Sequence, residues 1–365
     1  MGFKCGIIGL PNVGKSTLFN ALTQTANAQA ANYPFCTIEP NIGEVTVPDL
    51  RLTELSKISK SKNIIPAKIN FVDIAGLVKG ASKGEGLGNK FLSNIRETDA
   101  IAHVIRCFED PDITHVEGKL DPLSDIEIIE TELLLADIQN LENRASSLEK
   151  KLRSSDKDAL IRFDFIKSLL AFLNDGNPAR SMEISTDLEP IYKEFNLLTS
   201  KPLLYICNVE EESTSTGNTL SDKVINYAND NHVEVVIISA AIEAEISLLS
   251  ESDKVEYLQS MGLAEAGLNR LIKAGYSQLD LITYFTSGEQ ETRAWTIPSE
   301  TIAPKAAGAI HTDFEKGFIR AETISYDDFI SFNGELHARE SGKMRLEGKE
   351  YIVKDGDIMH FRFSN

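Results

Sequence analysis

Residues 9–16 restrict the possible fold of this chain more than any other part of its sequence. They read Gly-Leu-Pro-Asn-Val-Gly-Lys-Ser and fit the pattern G-x-x-x-x-G-K-[ST] at every fixed position. The apolar run from Cys5 to Ile8 predicts a buried strand before this loop, and the run from Thr17 to Leu22 predicts a helix after it. Glycines allow successive backbone N–H groups to face one anion at a helix N-terminus. The pattern therefore predicts an α/β domain of the P-loop type, which binds the phosphates of a nucleotide.

The loop also predicts which side chains contact the nucleotide. We expect Lys15 to reach the β- and γ-phosphates and to act in catalysis, and the Ser16 hydroxyl to ligate Mg²⁺. The residues of this segment that are predicted to bind nucleotide are Asn12, Val13, Gly14, Lys15, Ser16 and Thr17.

Two later segments supply further candidates around the phosphates. Thr37 lies in a loop with two prolines, where a nucleoside triphosphatase has its first switch, and its hydroxyl is a candidate Mg²⁺ ligand. Taken alone, a threonine in a loop is more often a turn residue. Asp73 ends an apolar strand and fits the carboxylate that orients Mg²⁺ through water, while the Gly76 N–H fits the group that senses the γ-phosphate.

The group that orients the attacking water is the least determined part of the predicted site. Ras-type enzymes have a glutamine after the sensing glycine, but this chain has Leu77, which cannot form a hydrogen bond through its side chain. The glycine-rich stretch 79–89 follows and predicts a second switch. His115, in a loop after a strand, is the best replacement for the glutamine, although a plain loop histidine is nearly as good an interpretation. We expect His103, inside that strand, to be a core residue with its hydrogen bonds satisfied.

The base-binding segment departs from the guanine motif N-K-x-D. At residues 208–211 the chain reads Asn-Val-Glu-Glu, so Val209 replaces the lysine and Glu211 stands where the aspartate would be. Asn208 can still pair with adenine, as asparagine does in DNA grooves. This pattern favours ATP over GTP. Glu210 and the later residues Ser239 and Ala240 complete the predicted base contacts.

The remaining segments predict two further modules. Apolar residues recur at coiled-coil spacing in two runs, which predicts an antiparallel helical hairpin inserted into the nucleotide domain. The residues of these runs are Leu134, Ile138, Leu141, Ala145, Leu148 and Leu152, then Ala159, Phe163, Ile166, Leu170 and Leu173. Short strands near residues 282–286, 293–297, 351–353 and 358–363, with a helix near 303–312, predict a small α+β domain. We expect domain boundaries at 1–124 with 201–280, at 125–200 and at 281–365.

Composition limits the class of partner. The net charge is −18, and the middle of the chain, residues 121–280, has roughly two acidic residues for each basic one. A general electrostatic attraction to nucleic acid is therefore not supported, and no DNA specificity is expected. No apolar run is long enough for a membrane span, and no signal peptide is apparent. The cysteines Cys5, Cys36, Cys107 and Cys207 are widely spaced, which predicts free thiols in a reducing cytoplasm.

Taken together, these segments resemble the YchF-type Obg-like ATPases over the whole chain. The resemblance rests on the loop 9–16, on residues 32–40, on residues 73–77 with their glycine-rich continuation, on 208–211, and on 314–320 near the C-terminus. It implies an Obg-type nucleotide domain, a coiled-coil insertion and a C-terminal TGS domain with a ubiquitin-like β-grasp fold. It also implies slow ATP hydrolysis that a partner accelerates, and association with ribosomes or RNA. Asn12 is similar to the asparagine that supports potassium dependence in related enzymes, so K⁺ is a plausible second cation.

Two hypotheses from different classes follow. The first is a Mg²⁺-dependent, ribosome-associated ATPase, with possible GTP use, that acts as a nucleotide-dependent switch. The second is a nucleotide-gated module that binds RNA or ribosomes and in which hydrolysis is incidental; the absence of a glutamine at Leu77 keeps this alternative open.

Overall fold

The computed structural model describes residues 3–30, 42–74, 87–110, 120–151 and 157–364. These residues form two compact units. The first contains residues 3–43 and 70–271, and the second contains residues 44–69 and 272–364. Each unit is therefore built from two separate stretches of the chain.

The strands of the described chain belong to two sheets. In chain order they are β1 (Lys4–Ile8), β2 (Ile42–Thr46), β3 (Asn63–Ile65), β4 (Lys68–Asp73), β5 (Ala100–Arg106), β6 (Leu203–Asn208), β7 (Glu234–Ile238), β8 (Leu281–Ser287), β9 (Glu291–Pro298), β10 (Phe318–Ile324), β11 (Arg345–Glu347) and β12 (Ile358–Phe363). One sheet has the order β2-β4-β1-β5-β6-β7 and the other the order β11-β10-β12-β8-β9-β3.

The helices are spread over both units. In chain order they are α1 (Lys15–Ala30), α2 (Leu50–Ser59), α3 (Leu87–Arg96), α4 (Pro122–Lys151), α5 (Lys157–Asn174), α6 (Glu189–Phe195), α7 (Thr219–Asp230), α8 (Ala240–Ile246), α9 (Glu251–Ser260), α10 (Gly267–Gln278), α11 (Ala303–Ile310), α12 (Thr312–Lys316), α13 (Tyr326–Ser331) and α14 (Glu335–Glu340). None of the helices in the described ranges is long and apolar enough to cross a membrane.

Five strands of the first sheet run in parallel, which agrees with the α/β domain that the sequence predicted. Strand β1 pairs in parallel with β4 and with β5, and β5-β6-β7 continue in the same direction. Strands β5 and β6 are buried along their whole length, as is typical of strands covered by helices on both faces. Ligands of such sheets bind beyond the carboxyl ends of the strands. The sheet therefore directs the search for a site to the residues that follow β1, β4, β5 and β6.

The helices α4, α5 and α6 share one apolar cluster, which confirms only part of the predicted pattern. On α4 the predicted stripe lies in the cluster, from Leu134 to Leu148. On α5 the predicted Ile166, Leu170 and Leu173 lie in the cluster, but Phe163 does not, and Phe165 and Leu169 are buried there in addition. The reason is that α5 contacts α6 as well as α4, and the Phe165 ring stacks on Phe195 with 5.9 Å between centroids. A helix that packs against two neighbours buries a wider face than a two-helix seam.

The second sheet surrounds a core of its own. The central strands β12 and β8 are parallel, whereas β8 with β9 and β12 with β10 are antiparallel. Helix α11 packs on one face through buried alanines, and the buried Tyr284 donates a hydrogen bond to the Ala306 carbonyl oxygen (2.8 Å). The small side chains on α11 allow a close approach of helix and sheet, which gives this unit a continuous apolar interior.

Residues 44–69 lie in the second unit, and this differs from the predicted boundaries, which kept 1–124 in the nucleotide domain. Strand β3 extends the second sheet by pairing in parallel with β9, from Asn63 beside Glu291. Arg51 on α2 forms an ion pair with Asp355 (2.5 Å) and lies over the Phe285 ring, 5.2 Å from its centroid. These contacts join residues more than 200 positions apart, so no local sequence pattern indicates them.

Two elements of the C-terminal part also differ from the prediction. Residues 351–353 do not form a strand; Ile352 makes an isolated bridge to Ile302. The predicted helix at 303–312 ends at Ile310, because His311 has extended backbone angles and caps the next helix, α12. The last strand, β12, has the predicted bounds.

Candidate functional site

A cleft of about 980 Å³ lies at the carboxyl ends of the first sheet. It is bordered by residues at or just after the carboxyl ends of five strands, and the sequence had predicted about half of them as nucleotide contacts. The lining residues are Leu10, Pro11, Asn12, Gly14, Lys15, Ser16, Thr17, Asp73, Phe108, Glu109, Asp110, Asn208, Val209, Glu210, Glu211, Glu212, Ser239, Ala240 and Ala241. One continuous cavity thus joins the phosphate-binding loop to the predicted base segment.

The loop between β1 and α1 has a backbone conformation that few residue types adopt without strain. Gly14 has φ of +91° and Asn12 has φ of +64°, both in the left-handed region that glycine and asparagine tolerate best. A Cβ atom at Gly9 would lie 2.8 Å from the Val104 carbonyl oxygen, so the loop passes directly over β5. Helix α1 then starts at Lys15. Its first residues, Lys15, Ser16 and Thr17, line the cleft. The partial positive charge at a helix N-terminus favours an anion there.

Lys15 and Asp73 meet at the phosphate end of the cleft. Their side chains form an ion pair and are only 10% and 20% exposed, respectively. Ser16 and Asp73 line the same cavity, although they belong to different elements. A hydroxyl and a carboxylate oxygen are hard donors of the type that Mg²⁺ prefers. The described part of the predicted metal site is therefore chemically suited to that ion.

Asn208 connects the phosphate loop to the loop after β7. It is buried, its Nδ2 donates to the Val13 carbonyl oxygen (2.9 Å), and its Oδ1 accepts from the Ala240 N–H (2.9 Å). Both ends of the amide are thus used within the protein. The predicted pairing with adenine would have to use the second Nδ2 proton and the second lone pair of Oδ1. That role remains a prediction.

The residues after Asn208 form the far end of the cleft. Val209 is buried and its N–H donates to the Ile238 carbonyl oxygen (2.9 Å). The Glu210 carboxylate accepts hydrogen bonds from Ser213 and Asn218. Partial burial opposes ionisation of Glu210, but these hydrogen bonds lower its pKa. A carboxylate that is anionic at neutral pH therefore borders this end of the cavity.

Sequence reasoning missed two contributions to the cleft. The residues Phe108, Glu109 and Asp110 follow β5 and line the cavity. Asn218, eight residues after Glu210, supports the far end. Its position before α7 carries an N-cap signal in the sequence, but nothing in the sequence shows what its amide nitrogen contacts.

Some predicted residues lie outside the described ranges. These are Thr37, Gly76, Leu77, His115 and Leu152, together with most of the two predicted switches. Among the cysteines, Cys5, Cys107 and Cys207 are free and buried, as predicted, whereas Cys36 also lies outside these ranges.

His103 is buried in β5, as predicted. Its ring meets Tyr205 edge-on, with 5.9 Å between centroids. Within the described part of the chain its Nδ1 atom has no hydrogen-bond partner, which differs from the expectation of a satisfied residue. Burial lowers the pKa of His103 to about 3, so the imidazole is neutral at physiological pH.

Comparison with family models assigns most of the chain. The model described as "50S ribosome-binding GTPase" matches residues 4–162. The YchF-GTPase C-terminal model, described as a protein of unknown function, matches residues 281–364.

Known proteins resemble the chain over its full length. The "Ribosome-binding ATPase YchF" of Haemophilus ducreyi is 57% identical over 364 residues, and that of Bacillus subtilis is 52% identical over 366 residues; both alignments cover 100% of each chain. Among solved structures, the YchF GTPase of Schizosaccharomyces pombe is 38% identical with a TM-score of 0.90, and the match covers 99% of this chain and 98% of that one. The names of these relatives differ in the nucleotide, since two say ATPase and one says GTPase.

Proposed function

Because the chain belongs to the YchF family, we propose that it is an ATPase that associates with ribosomes and acts as a nucleotide-dependent switch. The observation that carries this proposal is the single cleft that joins the phosphate loop to residues 208–212 and 239–241. A cavity of about 980 Å³ has room for a nucleoside triphosphate. The names of the relatives support the ribosome as partner. RNA as the contacted component and a cytoplasmic location are parts of the same proposal.

The phosphate end is suited to transfer of the γ-phosphoryl group to water. In this proposal the loop amides, the N-terminus of α1 and Lys15 bind the triphosphate, and the phosphate oxygens replace Asp73 as the partner of Lys15. Catalysis then consists mainly of holding the reacting groups in line and stabilising the charge that develops on the transferred group.

Mg²⁺ fits the donor set that the cleft presents. Ser16 and Asp73 would hold it, the serine directly and the aspartate through water, and Thr37 would add a ligand from outside the described ranges. Bound there, the ion would neutralise charge on the β- and γ-phosphates. K⁺, assigned to Asn12 from the resemblance, is a separate proposal. Replacement of KCl by NaCl in a turnover assay tests it, since equal rates in the two salts would exclude a K⁺ requirement.

The water-orienting role is proposed for His115, because Leu77 cannot perform it. A His115→Ala variant should bind ATP normally and lose turnover. Unchanged turnover would remove His115 from the mechanism.

The domain assignment stays a proposal in its finer terms. Strand order β9-β8-β12-β10 with a parallel central pair, and one helix across the sheet, supports a β-grasp TGS domain after residue 281. The packed helices α4 and α5 support a helical arm that transmits the nucleotide state to a partner.

The deciding experiment is titration of the protein with ATP and with GTP in a buffer containing Mg²⁺ and K⁺. We expect ATP to bind at least about tenfold more tightly, a difference of about 1.4 kcal/mol. A preference for GTP would overturn the ATP assignment and leave the phosphate site intact.

A second measurement separates the switch from its alternative, a binding module in which hydrolysis is incidental. Turnover should rise strongly when ribosomes are added. If a Lys15→Ala variant bound ribosomes as well as the wild-type protein in either nucleotide state, the binding module would be the better description.

A further inference from the structure

Asn218 connects two segments that border the far end of the cleft. Its Nδ2 donates to the Cys107 carbonyl oxygen (2.7 Å), at the end of β5. The same Nδ2 group lies 3.0 Å from Oε1 and 2.9 Å from Oε2 of Glu210. One amide nitrogen therefore joins the segment after β5 to residues 209–212, which we call the base loop.

The other end of the same side chain is fixed by α7. Asn218 Oδ1 accepts from the N–H groups of Leu220 and Ser221, both at 2.9 Å. The Ser221 hydroxyl in turn accepts from the Asn218 N–H (2.8 Å), which completes a capping box. The amide is thus held at both ends, and its nitrogen has a defined position relative to the sheet.

We propose that Asn218 is a positioning residue for nucleobase recognition, which holds the base loop in its binding conformation through Glu210. The proposal rests on the proposed ATP-binding function and deepens it. Asn218 does not line the cleft itself; it acts through Glu210 and through the segment after β5. The base loop is also held at Val209, whose N–H donates to the Ile238 carbonyl oxygen (2.9 Å), and the Ser213 hydroxyl donates to Glu210 as well. The Asn218 amide adds the link between the Glu210 side chain and the segment after β5.

The two functions of Asn218 are carried by different atoms. An N-cap needs only an oxygen acceptor, and serine or aspartate supplies one as well as asparagine does. The hydrogen bonds to Cys107 and Glu210 need the two N–H groups of Nδ2. Substitutions that retain the oxygen and lose the nitrogen therefore remove the hydrogen bonds to Cys107 and Glu210 and keep the N-cap of α7.

The charge of Glu210 makes two such substitutions unequal. In Asn218→Ser the Glu210 carboxylate loses a donor. In Asn218→Asp it loses the donor and also meets a second carboxylate, which repels it. The base loop should therefore be displaced further by aspartate than by serine, although aspartate is closer to asparagine in size.

The test measures binding of ATP, of GTP and of inorganic triphosphate to the full-length chain. We expect Asn218→Ser to weaken ATP binding about tenfold, the effect of losing a hydrogen bond to a charged group, and Asn218→Asp to weaken it more. Binding of inorganic triphosphate, which has no base, should stay within twofold of wild type for both. Ser221→Ala is the matched control, because it removes half of the capping box and leaves the hydrogen bonds of Asn218 Nδ2 intact. It should lower thermal stability and leave ATP affinity unchanged.

A double variant adds a readout that loss of folding would not give. In a Glu210→Gln background the added carboxylate of Asn218→Asp no longer meets a like charge. The loss of ATP affinity caused by Asn218→Asp should therefore be smaller in that background than in the wild-type chain. Equal losses in the two backgrounds would show that Asn218 does not act through Glu210.

The outcomes separate this proposal from the proposed function. If both Asn218 variants weakened ATP and inorganic triphosphate equally, or weakened neither, the positioning role would be wrong. If the wild-type chain preferred GTP, the ATP assignment would fail, but a base-dependent loss for Asn218→Ser would still support the role of Asn218.

Discussion

Substitution of Gly14 by alanine tests how the phosphate loop depends on Asn208. An alanine Cβ at this position would lie 2.2 Å from the Nδ2 atom of Asn208, far inside van der Waals contact. The φ angle of +91° adds conformational strain. Asn208 cannot move aside without loss, because it is buried and bonded at both ends, to Val13 and to Ala240.

The expected cost is the sum of two terms. Strain from the left-handed backbone contributes about 1–2 kcal/mol. Displacement of the Asn208 amide leaves buried polar groups unsatisfied, which costs a further 1–3 kcal/mol, roughly. Gly14→Ala should therefore lower the free energy of unfolding by about 2–5 kcal/mol.

Gly176→Ala is a control with the same strain and no collision. Gly176 has φ of +87°, and a Cβ there would meet no atom within 4 Å. It should cost only the strain term, about 1–2 kcal/mol. Urea unfolding followed by far-ultraviolet circular dichroism measures both variants, provided that the slope of the transition is unchanged.

A third variant isolates the collision. In an Asn208→Ala background the amide is gone, so Gly14→Ala should cost no more than Gly176→Ala does. Equal destabilisation by Gly14→Ala and Gly176→Ala in the wild-type background would refute the argument, because it would mean that the Asn208 side chain moves aside at no cost in free energy.

Two further predictions concern buried polar groups of the first unit. His103 has a folded pKa of about 3 and an ordinary unfolded value of 6.5, so between these values the unfolded chain binds the additional proton. The free energy of unfolding should therefore fall as the pH falls from 6.5 toward 3, by up to about 1.4 kcal/mol per pH unit. Urea unfolding at several pH values measures this dependence, and His103→Gln should remove the part that His103 contributes. An unchanged pH dependence in His103→Gln would contradict the prediction. Asp137 accepts hydrogen bonds from the Leu198 N–H and from the N–H and hydroxyl of Thr199 at 2.8–2.9 Å. Asp137→Asn places an amide donor against these donors and should cost about 2–4 kcal/mol, whereas a loss below 1 kcal/mol in the same assay would show that the carboxylate is dispensable.

The phosphate end of the site could be predicted from the sequence because its determinants are local. The loop, the strand before it and the helix after it lie within thirty residues, and each glycine position has a steric reason. The far end could be predicted only in part. That Asn208 lies at the carboxyl end of β6 follows from the strand pattern, but its hydrogen bonds to Val13 and Ala240 join residues 195 and 32 positions away.

The sequence predictions were wrong where tertiary contacts determine which face of an element is buried or which sheet it joins. The buried face of α5 is set by α6 as well as by α4, so a two-helix spacing wrongly included Phe163 and missed Phe165. Nothing in the sequence of residues 44–69 indicates that they extend the second sheet. Their partners, such as Glu291 beside Asn63, lie in the C-terminal part of the chain.

The placement of residues 44–69 has a consequence for how the chain is synthesised. Asn63 is added to the growing chain 228 residues before its partner Glu291. At ordinary elongation rates of 5–20 residues per second this is a delay of about 10–50 s. During that time α2 and β3 have no sheet to join, so the second unit is completed only at the end of translation. A gene fragment that starts at residue 281 would produce a sheet without its outermost strand and without the helix that carries Arg51.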